Sequence, residues 1–264
     1  MAGKRLRRFG LRRAGIAGAL SLLAAVAIWT APAADAIANG RDVPDGKYTF
    51  SAALSMPLIT RPDGTTYASA CSGSLIAPSW IATAGHCLHD GGGTRISGPP
   101  AYEVRVTVGR ATLSGSGGQT RQAVEVRQSP TVDFALVRLN SPINGITPLR
   151  LNRVAPRVGT VIRVAGWGSR DSTADLSHRP DRMQTGLARI TSLTANHVRT
   201  RGFAPSPDTS ACPYDSGAPY FRELLTSTVL ISTEVGGPDC PHAQDETTAR
   251  IDTIYSWIMT QLRS

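Results

Sequence analysis

A histidine, an aspartate and a serine stand in three separate and distinctive segments of the chain. His86 lies within Thr-Ala-Gly-His-Cys, Asp133 precedes the apolar stretch Phe-Ala-Leu-Val, and Ser216 follows Pro-Tyr-Asp. A serine hydroxyl is a poor nucleophile at neutral pH, so a nearby base must remove its proton as it attacks. His86 is the candidate base, and Asp133 is the candidate that holds its imidazole in the required tautomer. These three residues predict acyl transfer through a serine nucleophile.

Each of the three residues also has a purely structural interpretation. One histidine among five carries little information by itself. An aspartate before a strand is common in turns, and Asp-Ser-Gly is a common turn sequence. The chain order histidine, aspartate, serine is more specific than any one segment, because other catalytic triads occur in different orders. We therefore treat the three residues as one predicted site.

The first 36 residues have the pattern of an export signal. A start with six basic residues is followed by an apolar run over 14–30, and Ala-Asp-Ala at 34–36 has the form of a cleavage site. A membrane anchor is the alternative, but the run is slightly short of the roughly 20 residues that a spanning helix needs. Paired arginines leave both the general and the twin-arginine export routes open. We expect cleavage after Ala36 and secretion of residues 37–264.

Removal of this segment lowers the net charge of the chain from +9 to +4, because it holds six basic residues and one acidic residue. A mild positive charge without a stripe of clustered lysine and arginine does not indicate nucleic-acid binding. The chain of 264 residues would retain 228 of them. That length is enough for one large β domain or two small barrels.

All four cysteines lie in the part that would be exported. An even number in an exported chain suggests two disulfides, for which three pairings are possible. Zinc binding is the alternative, and it is disfavoured because the chain has no Cys-x-x-Cys pair. The cysteines are Cys71, Cys87, Cys212 and Cys240.

Short alternating segments, separated by Gly, Pro, Asn, Asp and Ser, dominate the exported part. Such regularly spaced strands indicate a sandwich or barrels. The chain end differs, because apolar residues recur at three- and four-residue steps from Ile251 to Leu262. This pattern predicts one amphipathic helix, with Thr247 or Thr248 as its cap. The stretch 140–156, with three prolines, is the expected crossover between two halves.

These motifs together resemble the secreted bacterial members of the trypsin-like, or chymotrypsin-fold, serine proteases. The resemblance covers nearly all of the exported part and implies an all-β fold of two six-stranded antiparallel barrels with a C-terminal α-helix. It places the barrels at about 37–145 and 146–264, with the site in the cleft between them. It also implies the disulfides Cys71–Cys87 and Cys212–Cys240. The segments that carry it are 37–40, 71–76, 80–87, 133–139, 166–168, 212–219 and 255–258.

The same resemblance implies roles for the residues around the nucleophile. The backbone N–H groups of Tyr214 and Ser216 would form the oxyanion hole. The α-amino group of Ile37, freed by signal cleavage, would pair with Asp215 and order that loop without a separate activation step. Tyr214 departs from the family, which usually has glycine here, and glycine tolerates backbone angles that tyrosine does not. We expect Tyr214 to crowd the leaving-group side and to reduce activity or the binding of large inhibitors.

The substrate pocket is also expected to depart from the family. The resemblance places Ser210 at its base, Ser232 to Glu234 along the substrate-pairing wall, and Glu246 on a further wall. Ser232 is expected to bond Asp133, and Glu234 to narrow the entrance. Glu246 would favour a basic substrate side chain by charge pairing. The alternatives are that both glutamates point to solvent, or that Ser210 leaves a larger apolar pocket.

We therefore expect a secreted, monomeric serine endopeptidase that acts on polypeptide substrates and can bind protein inhibitors. We expect no membrane association after signal cleavage. No cofactor or metal is expected. The stretch 109–120, which matches the family's calcium loop, has no Asp or Glu, whereas calcium sites are rich in carboxylate. The alternative function is a binding protein on a weak or inactive protease scaffold, because fold alone does not establish function.

Overall fold

The computed structural model describes residues 1–3 and 37–264, so the expected export signal lies outside the described residues. The described residues form fourteen β-strands, two short 3-10 helices and one α-helix. None of the helices found there is long and apolar enough to cross a membrane.

Six antiparallel strands close the first barrel. A short strand, β1 (Arg41–Asp42), precedes them. The six barrel strands are β2 (Ser51–Thr60), β3 (Thr66–Ala77), β4 (Trp80–Thr83), β5 (Arg105–Val108), β6 (Gln119–Gln128) and β7 (Ala135–Leu139). The order around the barrel is β2-β3-β4-β7-β6-β5. Successive side chains of a strand point to opposite faces, and the inward ones, such as Leu54, Ile81 and Leu136, are fully buried.

Six further strands close the second barrel. The edge strand β8 (Arg150–Leu151) precedes β9 (Val161–Gly166), β10 (Gln184–Leu193), β11 (His197–Ala204), β12 (Pro219–Glu223), β13 (Thr228–Gly236) and β14 (Glu246–Arg250). The order is β10-β11-β14-β13-β12-β9, and β9 pairs back to β10. The two closed six-stranded antiparallel barrels that the resemblance implied are thereby confirmed.

The N-terminal end of the described body belongs with the second barrel. β1 pairs with β10, and Ile37 packs in an apolar cluster of second-barrel residues that includes Val164 and Ile190. The expectation that the first barrel would begin at residue 37 is therefore wrong for residues 37–42. The crossover expected over 140–156 contains β8, which pairs in parallel with β13.

The C-terminal helix α1 (Ile251–Gln261) packs its apolar face on the body of the protein. Ile251, Ile254 and Ile258 are buried, as the three- and four-residue periodicity predicted. Trp257 packs edge-on against Phe134, with ring centroids 6.1 Å apart and an interplanar angle of 82°. The helix therefore buttresses the strand that follows Asp133.

The predicted cap of this helix is wrong. Thr247 and Thr248 lie in β14, where Thr248 Oγ1 donates to the carbonyl of Val198 at 2.9 Å. The N-cap position is Arg250, which makes no side-chain cap bond. β14 pairs with both β11 and β13, which provides hydrogen-bond partners for the backbone groups of the two threonines. The helix therefore begins only after this strand, at Ile251.

Two disulfides join the four cysteines in the pairs that the resemblance implied. Cys71 in β3 pairs with Cys87, whose Cα atom lies 6.3 Å away. Cys212 pairs with Cys240, with the Cα atoms 5.4 Å apart. The first disulfide holds the segment of His86 against the first barrel, and the second connects the start of the nucleophile segment to the loop that follows β13.

Replacing both Cys71 and Cys87 with alanine is expected to lower the free energy of unfolding by about 3 kcal/mol. The chain-entropy model assigns roughly that value to a loop of this length, since the cysteines are 16 positions apart. Urea unfolding of the double variant measures it. The matched variant without Cys212 and Cys240, which are 28 positions apart, should lose slightly more. A loss below about 0.5 kcal/mol for the first pair would contradict this account.

Candidate active site

Strand register brings His86 and Asp133 together. β4 ends at Thr83, and the chain then turns through the 3-10 helix Gly85–Cys87. Thr83 pairs with Ala135 at the start of β7, so Asp133 lies beside the turn. Its Oδ2 is 2.7 Å from His86 Nδ1, and its Oδ1 accepts the backbone N–H of His86 at 2.8 Å. Both the ring and the backbone of His86 are therefore fixed by one carboxylate.

The turn that carries His86 requires a glycine at position 85. A Cβ atom at Gly85 would lie 2.7 Å from Asp133 Oδ1 and 2.5 Å from Gln128 Oε1. The amide of Gln128 donates to the carbonyls of Gly85 and Leu88, at 2.9 and 3.0 Å. Gly85 therefore lets the backbone approach the carboxylate closely, and Gln128 holds the turn there.

The charge of Asp133 is stabilised by its neighbours. Burial opposes the charge, but the hydrogen bonds and charge of His86, together with Arg95, lower the pKa of Asp133 below its ordinary value. Arg95 Nη1 lies 3.5 Å from Asp133 Oδ1. Asp133 is thus ionised at neutral pH and can stabilise an imidazolium. Sequence reasoning missed Arg95, because it lies in a loop with no distinguishing pattern.

The segment of Ser216 rests on the segment of His86. The carbonyl of Ser216 accepts the N–H of Ser72 at 2.8 Å and lies 3.7 Å from Cys87 Sγ. A Cβ atom on Gly217 would lie 2.1 Å from the carbonyl oxygen of Ser72, so only glycine fits. No hydrogen bond joins Ser216 Oγ to His86 within the described residues. Such bonds often tighten only when substrate binds.

The backbone around Ser216 leaves two N–H groups free to bind an oxyanion. In the part of the chain that the structure describes, the N–H groups of Tyr214 and Ser216 donate to no protein acceptor. Tyr214 has a φ of 76°, in the left-handed region that favours glycine. The carbonyl of Tyr214 accepts Ser72 Oγ at 3.2 Å, which holds the peptide in this orientation. The glycine-like conformation expected here is thus adopted by a tyrosine.

Asp215 is a fully buried carboxyl group behind the nucleophile. Its oxygens accept the N–H of Gly168 at 2.8 Å and that of Cys212 at 3.1 Å. Burial raises the pKa of Asp215 to about 8, although these bonds and the charge of Arg179 oppose the rise. Arg179 Nε donates to the carbonyl of Trp167 at 2.6 Å, and burial lowers the pKa of this guanidinium to about 10.

Ile37 is fully buried in the second barrel, and its neighbour Ala38 exchanges backbone hydrogen bonds with Ser210. No hydrogen bond joins Ile37 to Asp215 among the described residues. Ile37 is preceded by Ala36 in this chain, so its nitrogen is an amide here and not a charged amine.

A cleft of about 200 Å³ opens beside Ser216. Glu234 and Glu246 belong to its wall, but neither points freely to solvent, because they are only 1% and 3% exposed. Gly237 also lies on the wall, and a Cβ atom there would be 1.7 Å from Glu246 Oε2. The lining residues are Ser172, Ala211, Cys212, Pro213, Ser216, Glu234, Gly236, Gly237, Pro238, Asp239, Cys240 and Glu246.

Two serines expected at this pocket lie elsewhere. Ser210 is 3% exposed and lies behind the lining, where its Oγ accepts the N–H of His242 at 3.1 Å. Ser232 is fully buried in β13 opposite Tyr220. Its hydroxyl has no hydrogen-bond partner within the described residues, so the expected bond to Asp133 is absent. Of the three residues expected along this wall, Glu234 is the one that lines the cleft.

Comparison with known proteins identifies the family to which this fold and site belong. The trypsin family profile matches residues 37–258. The chain belongs to the trypsin family. As a member of that family it is a serine-type endopeptidase, and the expected trypsin-like protease is confirmed.

Individual relatives in the trypsin family are distant in sequence. A protein named as a peptidase from Corynebacterium glutamicum is 31% identical, over 82% of this chain and 72% of its own length. A trypsin from Saccharopolyspora erythraea is 24% identical, over 86% of this chain and 99% of its own. A trypsin named 5G1 from Aedes aegypti is 25% identical, over 84% and 83%.

Replacing Tyr214 with glycine is expected to raise the free energy of unfolding by about 1 kcal/mol, because a left-handed backbone strains a residue with a Cβ atom. Activity on bulky substrates should rise with it. Tyr214→Ala is the matched control, since it removes the ring and keeps the strain. Urea unfolding and kcat/KM on a long peptide measure the two effects. Equal stability of the glycine and alanine variants would contradict the strain argument.

Proposed function

We propose that the chain is a secreted serine endopeptidase that works through an acyl-enzyme on Ser216, with His86 as general acid and base and Asp133 as the residue that orients it. The observation that carries this proposal is the 2.7 Å contact between His86 Nδ1 and Asp133 Oδ2, in a turn against which the Ser216 segment packs. The contact leaves the other ring nitrogen of His86 available to Ser216.

The first step would be attack of Ser216 Oγ on the scissile carbonyl carbon. His86 takes the hydroxyl proton as the new C–O bond forms, and Asp133 stabilises the resulting imidazolium. The carbonyl oxygen becomes an oxyanion, which the free N–H groups of Tyr214 and Ser216 would bind. His86 then gives its proton to the leaving amine as the C–N bond breaks. Water repeats the sequence on the acyl-enzyme and releases the second product.

Secretion is supported by the sequence of the first 36 residues. Their basic start, apolar run and Ala-Asp-Ala ending are those of a cleaved export signal. The two disulfides of the body fit an oxidising compartment. On this proposal the released protein acts as a monomer on polypeptide substrates, and protein inhibitors that mimic substrates would contact the same cleft.

The substrate side chain that this cleft prefers is proposed to be basic. Three carboxyl groups, those of Glu234, Asp239 and Glu246, are in the lining. A positive side chain would pair with a charged carboxylate there, and Glu234 and Glu246 are almost fully buried. The rival function is a weak or inactive binding protein on the same scaffold. Its support is the strained Tyr214 in the loop that must bind the oxyanion.

A fluorophosphonate probe separates the enzyme from the binding protein. Such a probe reacts only with an activated serine, so we expect it to label the released protein at Ser216 and to leave Ser216→Ala unlabelled. His86→Ala should lose nearly all labelling because the base is gone. Asp133→Asn should slow peptide hydrolysis by about 10⁴-fold through the wrong tautomer. Absence of labelling in well-folded protein would favour the binding protein.

Signal cleavage is proposed to activate the enzyme by freeing the amine of Ile37 for Asp215. In a chain extended before Ile37, the folded form keeps a proton on Asp215, whose pKa is about 8, while the unfolded chain loses it near pH 4. The stability of that chain therefore falls as pH rises from about 4 to about 8. A chain that begins at Ile37 should lose less stability over the same pH range, because its N-terminal ammonium group favours the charged form of Asp215.

Urea unfolding of both chains at about pH 5 and about pH 8 measures this difference. The matched variant Asp215→Asn should abolish the part of the pH dependence that distinguishes the two chains. N-terminal sequencing of the released protein should give Ile37 as the first residue. A fully active form that begins at Ala34 would contradict the proposed activation.

A further inference from the structure

The cleft beside Ser216 contains buried carboxylate oxygens of Glu234 and Glu246. Within the described residues, no well-formed hydrogen bond reaches either side-chain oxygen of Glu234 or the Oε2 atom of Glu246, although Tyr220 and the backbone of Gly236 lie close to Glu234. Both glutamate side chains are almost fully buried and both line the cleft. Buried polar groups are nearly always hydrogen-bonded in native proteins. These oxygens are therefore placed for a ligand that enters the cleft with hydrogen-bond donors or positive charge.

Glu246 is held in place by contacts to its other oxygen. Oε1 accepts the backbone N–H of Ala211 at 2.9 Å and lies 3.0 Å from His242 Nε2. Both side chains are almost fully buried, with 4% of His242 and 3% of Glu246 exposed. These two contacts leave Oε2 as the oxygen that is available to a substrate.

The tautomer of the neutral His242 ring is fixed by its surroundings. The backbone N–H of Gln244 donates to His242 Nδ1 at 3.1 Å, so Nδ1 carries no proton in this arrangement. The single proton of the neutral ring is then on Nε2, which lies 3.0 Å from Glu246 Oε1 in a contact that falls short of a well-formed hydrogen bond. The contact with Glu246 raises the pKa of His242. A second proton, on Nδ1, would displace the N–H of Gln244, make the ring cationic and cancel the charge of Glu246.

The other ionisable groups at the cleft are Glu234 on β13, Tyr220 on β12, Asp215 behind Ser216, and Asp239 in the lining. Burial, and next the charge of Glu246, raise the pKa of Glu234 well above its usual value. Burial also raises the pKa of Tyr220. The backbone N–H of Ala211 donates to Glu246 at 2.9 Å, so Glu246 is the carboxyl group of the pair that the backbone holds in a fixed position.

We propose that His242 is a positioning residue that sets the substrate specificity of this peptidase through Glu246. With His242 neutral, the cleft takes a cationic side chain on the residue whose carbonyl is attacked. With His242 protonated, the ring cancels the charge of Glu246 and the cleft accepts an uncharged side chain of the same shape nearly as well. The inference rests on the proposed function, because the cleft holds a substrate side chain only if Ser216 is the nucleophile.

The test uses two peptide substrates that differ only in arginine or citrulline at that residue, since citrulline has nearly the same shape without the charge. The ratio of their kcat/KM values is measured from about pH 5.5 to about pH 9, a range that spans histidine titration. Groups that act on the chemistry itself, such as His86 and Asp215, affect both substrates and cancel in the ratio. We expect the ratio to rise about tenfold or more with pH.

Variants at His242 and Glu246 separate charge from structure. In His242→Gln the amide reaches the same oxygen without titrating, so the ratio should stay high and nearly independent of pH. In His242→Ala, Glu246 loses its support and the ratio should fall at every pH. In Glu246→Gln the ratio should approach one. His197→Gln is the matched control, because His197 is on β11 of the same barrel and outside the cleft lining, and it should leave the profile unchanged.

Two results would overturn the inference. One is a wild-type pH profile of the ratio that persists in His242→Gln, and the other is an undiminished ratio in Glu246→Gln. Fluorophosphonate labelling of each variant shows that it is folded and keeps the nucleophile. If labelled protein cleaves both substrates equally at every pH, this inference and the proposed basic preference fail, and the proposed serine endopeptidase stands. If the protein is neither labelled nor active, both fail.

Discussion

The carbonyl of Ser216 accepts the N–H of Ser72, at 2.8 Å, and this bond joins the Ser216 segment of the second barrel to β3 of the first. Gly217 makes the approach possible, because any Cβ atom there would overlap the carbonyl oxygen of Ser72. The disulfide from Cys71 fixes Cys87, and with it His86, to the same surface. Catalytic groups must be held within about 0.5 Å of their working positions, and here backbone contacts between the two barrels set those positions.

The second barrel carries an unusual amount of buried carboxylate, and each group has a different compensation. Asp215 accepts two backbone N–H groups and has Arg179 as a charged neighbour. Glu246 has a backbone donor and His242, while burial and the charge of Glu246 raise the pKa of Glu234. Burying a charge without a partner is strongly unfavourable. The barrel therefore gives up stability around the cleft, and substrate or a free N-terminal amine would recover part of it.

Much of this arrangement could be predicted from the sequence, because the catalytic segments and the cysteines each have distinctive local patterns. The pocket wall could not, because β13 has an irregular register between Glu234 and Gly236. One bulge changes which side chains face the cleft, so the sequence could not show which residues after Glu234 line it. Arg95 and His242 were missed for another reason. Each lies in a loop, and only the fold brings it beside its carboxylate.

The distance between Ser216 Oγ and His86 Nε2 tests the central claim most directly. It is measured in a crystal structure of the chain that begins at Ile37, with a substrate-like peptide bound in the cleft. The account predicts a separation of about 2.6–3.2 Å, which permits transfer of the serine proton. With the Ser72 to Ser216 bond intact, a separation of more than about 5 Å would exclude even a bridging water and would contradict the account.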